Sequence, residues 1–131
     1  AQVNGRWFVL GGRTVGGEPI TEMLEYLPDT DIWQAHAALP KARAGHAAAV
    51  IDNAIYVFGG EHSKGVDREV FKYDLTKQQW GKAFEWQTPR HGLGAITLKG
   101  QIWLVGGATK VGLSETSKAV NNAQMMLDNL K

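Results

Sequence analysis

The sequence contains no cysteine among its 131 residues. This absence excludes disulfides, thiolate nucleophiles, thiolate metal sites and cysteine-linked haem. It also leaves the redox state of the compartment undetermined. A chain of this length falls in the size range of one domain, which is large enough to bury a core without covalent cross-links.

The sequence also lacks an excess of charge of either sign. Lys and Arg total 14 while Asp and Glu total 13, which leaves a formal net charge of +1. Because nucleic-acid partners need a basic surface, this balance argues against them.

No apolar run reaches the roughly 18 residues that span a bilayer, and residues 1–10 lack the regions of a signal peptide. We therefore expect a soluble protein with no nucleic-acid or membrane partner, and no compartment is indicated. The first residue, Ala instead of Met, suggests a processed or trimmed start.

Glycine is abundant, at 16 residues, and it recurs in pairs. The pairs are Gly11-Gly12, Gly59-Gly60 and Gly106-Gly107. They lie 48 and 47 residues apart, and each follows an apolar segment. Tyr26 and Trp33 recur 47 residues later as Tyr73 and Trp80, and Arg43 recurs as Arg90. A fixed period of this length indicates a repeated supersecondary unit.

Each repeated unit is predicted to contain four short strands. In the second unit the apolar or aromatic stretches are residues 47–51, 55–58, 69–73 and about 80–86. Turn residues separate the first two strands of successive units at Asn4-Gly5, Asp52-Asn53 and Lys99-Gly100. Four-stranded antiparallel units with a period near 50 residues are typical of a β-propeller.

The repeated residues resemble the kelch motif, including that of bacterial kelch domains. The clearest segments are LPKARAGHAAAVIDNAIYVFGG at residues 39–60 and TPRHGLGAITLKGQIWLVGG at residues 88–107. The resemblance implies an all-β fold of kelch-type β-propeller blades, with about two and a half four-stranded antiparallel blades. It places the kelch repeat region at residues 1–112, in units of about 1–39, 40–87 and 88–112.

The signature positions of the repeat are expected to be structural. A double glycine allows backbone angles that other residues avoid and a close approach of neighbouring main chain. Each signature Trp should pack between adjacent blades, and each Tyr hydroxyl should meet backbone or a polar neighbour. These residues are Gly11, Gly12, Gly59, Gly60, Gly106, Gly107, Tyr26, Trp33, Tyr73 and Trp80.

The third unit departs from the pattern after its double glycine. A shift of 47 residues from Tyr73 and Trp80 reaches no aromatic residue, so the outer two strands of this unit are not predicted. Ser117 instead precedes apolar residues at helical spacing. The sequence therefore predicts a tail over residues 113–131 with a C-terminal α-helix over about 118–130. This helix either covers its own chain or packs on another subunit.

Few residues suggest a ligand site. Arg43 and Arg90 lie in loops that lead into the next blade, and in kelch interaction modules such loops line one mouth of the propeller. Alternatively, each guanidinium fixes a blade junction by donating to loop carbonyls. The loops after the double glycines, residues 13–19, 61–67 and 108–113, are expected to open at the same mouth and to determine specificity. The other ligand-binding candidates are Arg13, His46, His62 and His91.

The sequence does not point to a metal, a cofactor or an assigned catalytic residue. The four histidines lack metal-binding spacing, although Glu61 adjoins His62 and Asp67 follows five positions later. Nucleophile-elbow and phosphate-loop motifs are both missing. Copper oxidases similar to this fold use a Cys cross-linked to a Tyr, and this chain has no Cys.

The number of blades has a consequence for function. Propellers close with about four to eight blades, so two and a half blades leave the ring open. We predict a protein- or ligand-binding kelch propeller module that completes a ring by self-association, most simply as a homodimer, and takes a peptide or small polar ligand. One alternative is a carbohydrate-type enzyme resembling bacterial kelch epimerases or oxidases, with mouth-facing Arg and His residues as base and anion clamp. Another is a partial propeller fragment without independent activity.

Overall fold

The computed structural model describes residues 1–123, whose regular secondary structure is almost entirely β-strand. Thirteen strands in this range form three antiparallel sheets of blade type and one small hairpin. The strands are short because Gly, Asn and Asp turn residues interrupt them. The predicted all-β class is confirmed. None of the helices within residues 1–123 has the length and apolar character needed to cross a membrane.

The first blade contains four strands in chain order. Strands β1 to β4 are Gln2–Val3, Arg6–Leu10, Met23–Leu27 and Ile32–Ala35. Asn4 and Gly5 form the first turn with φ angles of 49° and 78°, as expected for an Asn-Gly hairpin. The register aligns Trp7, Tyr26 and Trp33 on one face of this sheet.

The second blade is the complete repeat at the centre of the chain. Strands β5 to β10 are Ala47–Ile51, Ala54–Phe58, Glu61–His62, Gly65–Val66, Glu69–Asp74 and Gln79–Glu85. Four of them form the blade in the order β10-β9-β6-β5, while β7 and β8 form a separate hairpin in the loop after the double glycine. Every residue of β6 is buried, because neighbouring blades cover both faces of the sheet.

Within residues 1–123, the third blade has three strands, one more than the sequence predicts. Strands β11 to β13 are Gly94–Leu98, Gln101–Val105 and Val120–Asn122. The predicted helix over residues 118–130 is wrong at its start, since the chain forms β13 there. The backbone groups of β13 pair with the free edge of β12 instead of with each other. The rest of the predicted helix, residues 124–130, lies outside the described residues.

The repeat comparison missed β13 because the loop before it is longer than in blade 2. Val57 pairs with Phe71 in blade 2, and Leu104 pairs with Asn121 in blade 3. The first residues of these pairs are 47 positions apart, but the second residues are 50 positions apart. A fixed shift of 47 residues therefore compares the wrong positions in this strand.

The core of the described residues consists of two apolar clusters, one at each blade junction. Side chains alternate across each strand, so β6 contributes Ile55 and Val57 to one cluster and Tyr56 and Phe58 to the other. The junction of blades 1 and 2 also buries Val3, Phe8, Leu10, Met23, Leu39, Tyr73 and Leu75. The junction of blades 2 and 3 also buries Ala49, Ala54, Val70, Phe84, Trp86, Ile102, Leu104 and Ala123.

The outer faces of the first and last blades are apolar and exposed. We call the surface formed by Trp7, Val9, Tyr26 and Trp33 the leading face, and the surface formed by Ile96, Leu98, Val105 and Val120 the trailing face. On the leading face, Trp7, Val9 and Trp33 are 58%, 55% and 52% exposed. On the trailing face, Ile96, Leu98 and Val120 are 57%, 55% and 58% exposed. Contiguous apolar surfaces of this kind usually mark interaction sites.

Candidate functional site

The double glycines let neighbouring blades approach closely at one end of the molecule. Gly59 has a φ of 65°, and a Cβ atom at this position would lie 1.8 Å from the carbonyl oxygen of Arg90. The N–H of Gly60 donates to the same oxygen at 3.1 Å. The N–H of Gly12 likewise donates to the carbonyl of Arg43 at 2.7 Å. The second glycine of each of these two pairs thus ties its blade to the connection that leads into the next.

Three loops that follow the double glycines meet at this end and form the mouth. Glu61 joins them, because its carboxylate accepts from Arg13 Nη2 at 2.9 Å and from the backbone N–H of Gly112 at 2.9 Å. A groove of about 560 Å³ runs between the loops. Its lining includes Arg13, Glu18, Pro19, Glu61, His62 and Val111. The mouth groove is the candidate binding site because all three blades contribute to it.

Arg43 and Arg90 lie inside the blades, with only 0% and 2% of their surface exposed. Arg43 donates to the Gly59 carbonyl at 2.8 Å, and Arg90 donates to the equivalent Gly106 carbonyl at 2.6 Å. Arg90 also donates to the side-chain oxygen of Asn121 at 2.7 Å. Burial lowers the pKa of both guanidinium groups. These contacts are those of the junction interpretation, and ligand contact by either arginine stays a prediction.

A buried carboxylate, that of Asp67, directly follows the hairpin formed by β7 and β8 at the mouth. Lys41 Nζ is 2.9 Å from its Oδ1 atom, and Arg43 Nε is 3.9 Å from its Oδ2 atom. Asp67 raises the pKa of Lys41. His62 Nε2 lies 3.7 Å from Oδ1, which places this histidine between the mouth and the buried charge. The sequence points to Asp67 only weakly, as an acidic residue five positions after His62.

The three candidate histidines occupy different environments. His91 is buried, and its Nε2–H donates to the Lys110 carbonyl at 2.7 Å. His62 lines the mouth groove together with Arg13. The Nδ1 atom of His46 is buried without a partner in the described part of the chain, and burial lowers the pKa of this side chain. The structure therefore brings Arg13 and His62 together at the groove and leaves His46 outside its lining.

The signature aromatic residues share their geometry but differ in burial. The ring centroids of Tyr26 and Trp33 are 4.9 Å apart, and those of Tyr73 and Trp80 are 5.1 Å apart. Trp80 Nε1–H donates to the Ala37 carbonyl at 2.9 Å, and its side chain packs against the apolar cluster between blades 1 and 2. Trp33 holds the same repeat position on the leading face, where no blade among residues 1–123 covers it.

The mouth offers polar and charged groups rather than a metal centre. Within residues 1–123, no three His, Asp or Glu side chains converge as metal ligands. Glu61 and His91 approach to 3.5 Å, but the oxygens of Glu61 are already bonded between the loops. The arrangement is therefore suited to holding the loops in a fixed geometry and presenting the groove.

Consecutive antiparallel blades, whose double-glycine loops meet at a common mouth, define a fold of the β-propeller type. A family model described as the KLHDC2/KLHL20/DRC7 Kelch-repeats domain matches residues 1–128. The chain belongs to the kelch-repeat family. The resemblance found in the sequence is thereby confirmed.

Several curated proteins are similar to this chain over much of its length. Human Kelch-like protein 11 is 29% identical over 99 residues, which cover 76% of this chain and 14% of that protein. Rat Kelch-like protein 25 is 31% identical over 123 residues, which cover 89% of this chain and 20% of that protein. Beta-scruin of Limulus polyphemus is 34% identical over 82 residues, which cover 62% of this chain and 9% of that protein. The chain thus spans about a fifth or less of the length of these relatives.

Proposed function

We propose that this chain is a protein-binding kelch module whose leading and trailing faces close a ring with a second copy of the chain. The Kelch-like relatives favour a protein-interaction role. The observation that carries self-association is the pair of exposed apolar faces at the two ends of the blade series. Each face matches a surface that the chain already buries at its internal junctions.

The junction of blades 1 and 2 is the template for the leading face. Ile55 and Val57 of blade 2 are completely buried against blade 1. The residues 48 positions earlier are Trp7 and Val9, which belong to the leading face. The leading face therefore presents the positions that a preceding blade covers elsewhere in the chain.

The junction of blades 2 and 3 is the corresponding template for the trailing face. Ala49 and Phe58 of blade 2 are buried against blade 3. The residues 47 positions later are Ile96 and Val105, which are exposed on the trailing face. Docking the trailing face of one copy on the leading face of another would repeat the internal junction.

Two copies related by a two-fold axis would form two identical junctions. Three blades from each copy would give six, within the range of about four to eight found in closed propellers. Each half-exposed large apolar side chain would contribute about 1 kcal/mol on burial. Burial of all the apolar residues of the two faces would therefore stabilise the dimer.

The mouth groove is the proposed binding surface for a peptide or small polar ligand. Arg13 and His62 line it and face solvent, and the Glu18 carboxylate adds a negative charge. The carboxylate of Glu61 is occupied in joining the loops, which favours a binding role over proton transfer at this position. A closed ring would present this set of residues once from each copy.

Light scattering coupled to size exclusion over a range of concentrations tests the proposed self-association. We expect a species of twice the chain mass for the natural sequence. Val9→Lys should shift it to the monomer, because a buried unpaired charge is costly on the leading face. Val15→Lys is the matched control, since Val15 is a fully exposed apolar residue in a mouth loop and outside both faces.

A folded natural chain that stays monomeric at every concentration would contradict ring closure by a second copy. Equal behaviour of Val9→Lys and Val15→Lys would show that any dimer uses another surface. Circular dichroism on both variants establishes that the blades remain folded, so that a loss of mass reports assembly.

A further inference from the structure

A second polar cluster lies at the junction of blades 1 and 2, away from the mouth. The Glu25 carboxylate accepts from Arg6 Nε and Arg6 Nη2, both at 2.8 Å. Its second oxygen also accepts from His36 Nε2 at 2.7 Å. Arg6 directly follows the Asn4-Gly5 turn, which lies at the opposite end of the blade from the mouth loops. The cluster is therefore separate from the proposed mouth groove.

The cluster forms one wall of a cavity of about 470 Å³ between the two blades. Gln34 lines it from blade 1, and Tyr73 and Gln78 line it from blade 2. Tyr73 is only 1% exposed, and its hydroxyl has no hydrogen-bond partner among residues 1–123. The hydroxyl is therefore a free donor at the cavity wall, where a ligand can accept a hydrogen bond from it.

The repeat itself does not require these polar residues. At the positions that correspond to Arg6, Glu25 and His36, blade 2 has Ala54, Lys72 and Ala83. Blade 2 therefore builds the same sheet without the cluster. Because blade 2 lacks these three polar residues, they are not needed for the architecture that the two blades share.

The guanidinium of Arg6 keeps one edge free. Glu25 occupies the edge formed by Nε and Nη2, whereas Nη1 has no partner in the described part of the chain. The Phe8 ring, whose centroid is 5.1 Å from the Arg6 guanidinium carbon, supports its position. A planar guanidinium can bind a second carboxylate through its remaining fork of N–H groups.

We propose that this cavity binds a small monocarboxylate on the free edge of Arg6, with the Tyr73 hydroxyl as a second donor. The side-chain amides of Gln34 and Gln78 supply further donors around the ligand. The Arg6 side chain is 41% exposed, which leaves a route for entry from solvent.

The charge of Glu25 suits this role. Its hydrogen bonds with Arg6, followed by that with His36, lower its pKa to about 2. The carboxylate therefore stays ionised and holds the guanidinium in place, while Arg6 offsets its charge. The ligand lies on the opposite edge of the guanidinium and does not contact Glu25.

Titration with benzoate, followed by ¹H–¹⁵N NMR of the full chain, tests this proposal. Benzamide is the matched probe, because it has the same ring but no negative charge. We expect benzoate to bind with a millimolar dissociation constant and to shift the Arg6 Nε–H and Gln78 amide resonances. Arg6→Lys should weaken binding about tenfold, because an ammonium lacks the planar fork.

Two further variants keep the result interpretable. Tyr73→Phe retains the Arg6–Glu25 pair and should weaken benzoate binding by about threefold to tenfold, because one hydrogen bond is lost. Arg68→Lys, at an exposed arginine elsewhere on blade 2, should leave binding unchanged. Equal binding of benzamide and benzoate would overturn the proposal. So would full benzoate affinity in a folded Arg6→Lys or Tyr73→Phe protein, or shifts confined to Arg13 at the mouth.

Discussion

Replacing Gly59 with alanine tests whether the double glycine is needed for close blade packing or only for its backbone angle. An alanine Cβ at this position would lie 1.8 Å from the Arg90 carbonyl oxygen, whereas ordinary contacts begin near 3.4 Å. The connection into blade 3 would have to move away, and the hydrogen bond from Gly60 N–H to the same oxygen would be lost.

The expected loss of stability has two parts. A left-handed backbone angle costs an L-residue about 1–2 kcal/mol. Displacing the Arg90 carbonyl and leaving the Gly60 N–H unpaired add about 1–3 kcal/mol. We therefore expect Gly59→Ala to lower the free energy of unfolding by about 4 kcal/mol, which is large for a single substitution.

Gly92→Ala is a matched control for the backbone angle. Gly92 has a φ of 62°, close to the 65° of Gly59, but a Cβ there meets no atom within 4 Å. This variant should lose only the conformational part, about 1–2 kcal/mol.

Urea unfolding followed by tryptophan fluorescence measures both variants against the natural chain. Gly59→Ala should unfold at much lower urea concentration than Gly92→Ala. Equal losses for the two variants would refute the close-approach argument and leave only the backbone angle as the reason for Gly59.

Two further substitutions test the junction of blades 1 and 2. Glu25→Gln should destabilise the chain by about 2 kcal/mol at neutral pH, less than the full pKa shift implies because Arg6 is partly exposed. Folding lowers the Glu25 pKa from 4.5 to about 2. The stability difference between Glu25→Gln and the natural chain should therefore be complete above pH 4.5 and shrink as the pH falls towards 2. Urea unfolding over this pH range measures the difference, and a constant value would contradict the role of the Glu25 charge. Trp80→Phe should cost about 1–2 kcal/mol in thermal unfolding of the monomer, because it removes the hydrogen bond to Ala37. The equivalent Trp33→Phe on the exposed leading face should cost less than about 0.5 kcal/mol, and equal losses would contradict the burial difference.

Much of the fold could be predicted because its determinants repeat along the chain. The double glycines, the Tyr and Trp pairs and the turn residues mark strand ends directly, and the structure places strands where they predict them in blades 1 and 2. Strand β13 was missed because the longer loop before it shifts the repeat, and the apolar spacing that follows Ser117 then favoured a helix. Pairing with the edge of β12 decides the local structure instead. Such pairing involves residues far apart in sequence and leaves no local pattern.

The sites were less predictable than the fold. Arg43 and Arg90 recur visibly, but the sequence alone does not show whether a guanidinium faces solvent or a buried carbonyl, and burial decides this. The cluster of Arg6, Glu25 and His36 gave no signal because its members lie in three separate segments of the chain and none repeats in blade 2. The three positions at which blade 1 differs from blade 2 are the signal that could have identified this cluster.

The complete burial of β6 has a consequence for how the chain folds. Blade 2 is the only one of the three blades in residues 1–123 that is enclosed on both sides, and each blade packs mainly on its sequence neighbours. In such a quasi-one-dimensional array, structure can nucleate in the middle and propagate outward. The amide protons of β6 should then exchange with solvent more slowly than those of β2 or β12, and opening should begin at the terminal blades and proceed inward.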